Sequence, residues 1–71
     1  MARFEPGDYV HPTDFRRRVL CRVVAAESIA DGAAQILWLE PLEGPWPPGT
    51  HLVRLDDAVR VGPIGKVAPS P

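Results

Sequence analysis

The sequence predicts an all-β fold of five short strands, and three observations predict it. Nine prolines and six glycines cut the 71 residues into segments too short for long helices, because proline lacks a backbone donor and breaks a helix. The segments between them are rich in β-branched and aromatic residues, which suit a pleated surface. Residues 17–26 alternate with a period of two: Val19, Cys21, Val23 and Ala25 fall on one parity, Arg18, Leu20, Arg22 and Val24 on the other. The 45% apolar and 24% charged composition is that of a folding chain. A chain of this length forms one small domain that buries only about 60% of its unfolded surface.

The first strand is residues 8–11, opened by Pro6-Gly7. The second is residues 17–26. Residues 27–33 connect it to the third strand, 34–40, and the Asp31-Gly32 pair in them supplies the positive φ of a tight turn. A helical turn across 24–34 competes there, limited to about two turns by the Asp-Gly stop. Glu43-Gly44-Pro45-Trp46-Pro47-Pro48-Gly49 is a rigid loop before the fourth strand, 50–55. Asp56 then stands where a short helical turn takes its N-cap, ahead of a fifth strand, 59–61. The domain spans 1–62, and 63–71 form an extended or disordered proline-rich tail. Carrying the odd parity forward places Val19, Cys21, Val23, Ala25, Leu37, Leu39, Val53, Leu55, Val59 and Val61 in the interior.

Phe4-Glu5-Pro6-Gly7-Asp8-Tyr9-Val10-His11-Pro12 resembles the F-x-x-G-D-x-V-x-x-P opening of CarD-type domains. Its G-D-x-V also resembles the entry strand of KOW and Tudor-like barrels. The strand order, with a single turn before the last strand, is similar to that of SH3-like small barrels. The resemblance implies a five-stranded SH3-like barrel with a short 3-10 turn before the last strand, and the CarD-type opening implies contact with RNA polymerase. The CarD-type pattern continues with His-Gly-x-Gly, where this chain has Thr13-Asp14-Phe15-Arg16. The strand order also resembles that of type II dihydrofolate reductases, whose Val-Gln-Ile-Tyr active-site segment has no counterpart here.

Two surfaces carry candidate sites. The even parity is apolar where an isolated barrel would be polar: Leu20, Val24, Ile36, Trp38 and Leu52 lie among Arg18, Arg22, Glu40 and Arg54. A patch of that kind marks a protein interface, and tryptophan is a common anchor in one. Trp46, fixed between prolines, is a second anchor. The other candidate is Arg16, Arg17, Arg18 and Arg22, four positive charges with no acid between them, in a chain whose net charge is −1. Guanidinium forks hold phosphate or carboxylate, and Phe15 beside them can stack on a base. Residues 27–57 carry six acids against Arg54 alone, so pairing between the two stretches competes with an external anion.

Catalytic and metal-binding patterns are weak. His11 and His51 are forty residues apart and Cys21 is the single cysteine, which gives none of the short ligand spacings of a zinc site. Adjacent Asp56 and Asp57 diverge in direction, and Ser28, Ser70 and Cys21 have no identifiable base. The reading is a non-enzymatic protein-interaction module without metal or cofactor, self-associating or docking on a larger protein through Leu20, Val24, Ile36, Trp38, Leu52 and Trp46. Its alternative is a transcription-associated or nucleic-acid-binding barrel using Arg16, Arg17, Arg18 and Arg22. With no apolar span and no signal-peptide core near Met1, a cytoplasmic location is expected.

Overall fold

The computed structural model describes residues 3–62. Five antiparallel strands form one sheet in the order β4-β3-β2-β1-β5, with β1 at Tyr9–Pro12, β2 at Cys21–Ile29, β3 at Ala34–Pro41, β4 at Leu52–Leu55 and β5 at Val59–Val61. Two 3-10 turns, Ala30–Gly32 and Asp56–Ala58, stand after β2 and β4, and the described residues contain no α-helix. β2 begins at Cys21, so the chain from 13 to 20 is a loop. The competing helical turn across 24–34 does not form: Ala30, Asp31 and Gly32 reverse the chain with φ of 53°, 57° and 88°. Asp56 opens the second turn without a side-chain cap, which corrects its expected N-cap role. The predicted tail, 63–71, lies outside the described residues.

The sheet is not a closed barrel. β4 and β5 are its two edges and do not pair with each other. The β1–β2 loop bridges the gap instead. The backbone N–H and Oγ1 of Thr13 both donate to the Ala58 carbonyl, at 2.9 and 3.2 Å. Arg54 on β4 donates from Nε and Nη2 to the two carboxylate oxygens of Asp14, at 3.2 and 3.0 Å. Its guanidinium also lies 5.6 Å from the Phe15 ring centroid. A third Arg54 nitrogen, Nη1, donates to the Val53 carbonyl at 3.0 Å, which blunts an exposed sheet edge.

The core lies on the concave face: Val10, Cys21, Val23, Leu37, Leu39 and Val59 are buried, with Phe4, Val19, Ala26 and Leu52 packed against them. Gln35 is buried among them, and it exchanges two 3.0 Å hydrogen bonds with the backbone of Phe4, accepting at Oε1 and donating from Nε2. That reciprocal pair satisfies the buried amide.

Four of the expected interior residues are exposed instead. In β2 the register slips between Val23 and Ala25, so Val23 faces Leu39 while Ala26, not Ala25, faces Leu37. The extra residue of a β-bulge reverses parity for the rest of the strand. In β4, Leu52 faces Leu39 and Arg54 faces Leu37, so Leu52 turns inward and Val53 and Leu55 turn outward. Parity does not carry across a loop, and Val53, Leu55 and Val61 end up 49%, 44% and 60% exposed.

The two faces therefore differ in their response to truncation. Leu39→Ala is expected to lose about 2–5 kcal/mol of unfolding free energy, as for a closed-packed leucine. Leu55→Ala is expected to lose about 1 kcal/mol or less, because half its side chain is already in water. Urea denaturation of the two variants checks this. Equal losses would contradict the β3–β4 register.

Candidate functional site

The convex face of the sheet presents an apolar surface. Opposed residues of an antiparallel pair share a face, so Trp38 groups with Val53 and Ala25, and Ile36 groups with Leu55 and Glu27. Val24, the extra residue of the bulge, joins Trp38 and His51 in lining a shallow cleft whose floor includes Ala25, Ala26 and Glu27. Arg22 and Glu40, paired across β2 and β3, border the apolar strip with an exposed ion pair.

The structure brings together only part of the predicted interface. Ile36, Trp38 and Val24 lie on or beside the convex strip. Leu52 lies on the opposite face, against the core, and Val53 and Leu55 occupy the outward positions of β4. Leu20 stands just before β2, its N–H donating to Glu43 Oε2 at 2.9 Å and its carbonyl accepting from Leu42 at 2.8 Å. Trp46 lines a different groove. Val53 and Leu55 were hidden in the sequence because β4 reads Leu-Val-Arg-Leu, where a charged residue at 54 argued for the wrong outer parity.

The second surface is the groove between the β1–β2 and β3–β4 loops, lined by Arg17, Arg18, Val19, Glu43, Pro45 and Trp46. The Trp46 ring lies 5.9 Å from that of Phe15 at a 59° tilt, so the two loops meet through their aromatic side chains. Gly44 in the β3–β4 loop has a φ of +96°, and a Cβ there would meet the indole Nε1 at 3.0 Å. Glycine is required at that position both by the left-handed backbone and by the approach of Trp46. Among the described residues, Arg22 and Arg54 form the ion pairs. Arg16, Arg17, Arg18 and Arg60 are exposed and form none. Of the predicted basic patch, Arg22 is thus engaged by Glu40 and the other three are not.

Arg18 and Arg60 also act on His11. Burial first, then the positive charges of Arg18 and Arg60, hold the His11 imidazole below its ordinary value, and its buried Nδ1 has no hydrogen-bond partner among the described residues. Cys21 sits in the core, where burial pushes its thiol up to about 11. A thiol held that high is almost entirely protonated at neutral pH and a poor nucleophile. Among the described residues no three His, Cys, Asp or Glu side chains come close enough to share a metal ion, and no helix is long and apolar enough to cross a membrane.

The His11 environment gives a pH dependence with a definite sign. A folded-state value below that of the unfolded chain means that unfolding takes up a proton, so this contribution is complete above about pH 6.5. It is lost as pH falls through the folded value. The thermal midpoint of the wild type is expected to fall between about pH 7.5 and about pH 5.5, and His11→Gln is expected to flatten that fall. An unchanged pH profile in the variant would contradict it. Comparison with protein-family models, with curated proteins and with solved structures finds no match, so the functional reading rests on these surfaces.

Proposed function

We propose that this chain is a non-enzymatic protein-interaction module whose contact surface is the convex face of β2, β3 and β4. The observation that carries it is the alignment of Ile36 and Trp38 with the half-exposed Val53 and Leu55. A second copy of the chain, or a larger protein, laid on this strip removes apolar surface from water. Completing the burial of Val53 and Leu55 contributes about 1 kcal/mol each, a sizeable addition for a domain with so small a core. The strand order, with a 3-10 turn between β4 and β5, supports assigning the module to the SH3-like class, with the loop bridge in place of closure by strand pairing. A cytoplasmic setting fits a protein with one cysteine, buried as a thiol.

A second reading, an accessory domain that contacts nucleic acid, is favoured by the exposure of Arg16, Arg17, Arg18 and Arg60 without carboxylate partners among the described residues.

Association through an apolar face is insensitive to salt, whereas association through arginines weakens as salt rises. Light scattering across a concentration series is expected to show a species heavier than the monomer at both low and high salt. Trp38→Ala is expected to abolish it and Arg16→Gln/Arg17→Gln/Arg18→Gln to leave it intact. Association lost in the arginine variant and retained in Trp38→Ala would overturn the apolar-face reading.

A further inference from the structure

We propose that the groove between the β1–β2 and β3–β4 loops binds single-stranded nucleic acid, with a base stacked on Trp46 and successive phosphates running along Arg17 and Arg18 toward Arg60. The proposal deepens the second reading above, that the arginines contact nucleic acid, and rests on it. It is independent of the convex face.

Three kinds of chemistry-bearing residue line this groove: Arg17 and Arg18, Trp46, and Glu43. Each matches a different part of a nucleotide. Guanidinium forks suit phosphate oxygens, the indole face suits any base, and a carboxylate accepts from the exocyclic amine of cytosine or adenine. An acidic peptide would use the arginines but has no base to stack on Trp46.

The groove is held in shape before any ligand arrives. Phe15 lies beside Trp46 at 5.9 Å, and Phe15 is itself covered by the Arg54 guanidinium that Asp14 pins. Gly44 allows the indole its close approach, and the Leu20 N–H fixes Glu43. Groups already ordered lose less entropy on binding.

The positive charge continues beyond the groove. Arg18, in the β1–β2 loop, and Arg60, on β5, are both close enough for their charges to act on His11. His11 itself faces Arg60 across the β1–β5 ladder. Exposed arginines on both the β1–β2 loop and β5 offer more than one phosphate contact, which favours a chain over a mononucleotide. A single strand can expose a base to Trp46 and bend along these arginines, while a duplex keeps its base faces stacked inside.

The test uses the full chain and a fluorescein-labelled 12-nucleotide oligodeoxycytidylate, with the matching duplex and polyglutamate as comparison probes. In a Trp38→Phe background, where Trp46 is the remaining tryptophan, the single strand is expected to quench the indole fluorescence. By anisotropy, Trp46→Ala is expected to weaken binding about tenfold, with Trp46→Phe retaining most of the affinity. Arg17→Gln/Arg18→Gln, two exposed loop positions that leave the fold unchanged, is expected to weaken it about tenfold and to reduce the salt dependence. Duplex bound as tightly as single strand, without an effect of Trp46→Ala, would overturn the stacking site and leave the second reading standing. Polyglutamate quenching Trp46 as strongly as the oligonucleotide would overturn the nucleic-acid assignment in favour of an acidic protein. Failure of both single strand and duplex to bind would overturn the site and the second reading together.

Discussion

Leu52 faces Leu39 across the β3–β4 ladder, and the rest of the molecule depends on that alignment. Because side chains alternate along a strand, fixing one pair fixes the whole of β4. Leu52 joins the core, Val53 and Leu55 turn to the outside, and Arg54 is carried to the concave side. A guanidinium there would be a liability without partners. It has three: the Asp14 carboxylate, the Phe15 ring and the Val53 carbonyl. Those contacts draw the β1–β2 loop across the open side of the sheet, and the same loop carries Arg16, Arg17 and Arg18. One register thus shapes both the apolar strip and the basic groove.

The bulge at Val24 does for β2 what the register does for β4. Before it, Cys21 and Val23 point into the core; after it, Ala26 does. In an unbroken ladder Val24 would stand opposite Trp38, Ala25 would point into the core opposite Leu37 and Ala26 would stand opposite Ile36. With it, the small Ala25 stands opposite Trp38, and the cleft lined by Val24, Trp38 and His51 opens next to the distortion. A bulge commonly re-aims side chains in this way. The surface this creates is apolar, on a domain too small to bury much else.

Local chemistry was largely legible in the sequence. Proline and glycine punctuation marks the strands, Asp31-Gly32 marks a turn that the structure makes with positive φ, and the alternation of β3 puts Leu37 and Leu39 inside. Relations between distant segments were not legible. Nothing in Leu-Val-Arg-Leu says which side meets β3, and Arg54 pointed the wrong way because its partners, Asp14 and Phe15, are some forty residues earlier. The bulge was hidden because Val24, Ala25 and Ala26 are all apolar, so a slip leaves no mark in the pattern. The same limits apply to the site: Trp38 and Ile36 stood out by parity, Val53 and Leu55 did not, and the meeting of Trp46 with Phe15 required the fold.

The central claim is the register that turns Val53 and Leu55 outward, and solvent exposure of individual methyl groups tests it most directly. With isotope-labelled Leu and Val methyls and a soluble paramagnetic probe in dilute protein, Leu55 and Val53 should be strongly relaxed. Leu37 and Leu39 should be protected, and Leu52 should be shielded relative to Leu55. A strongly relaxed Leu52 with a protected Leu55 would show β4 displaced by one residue, and the convex apolar strip, the position of Arg54 and the loop bridge would all fall with it.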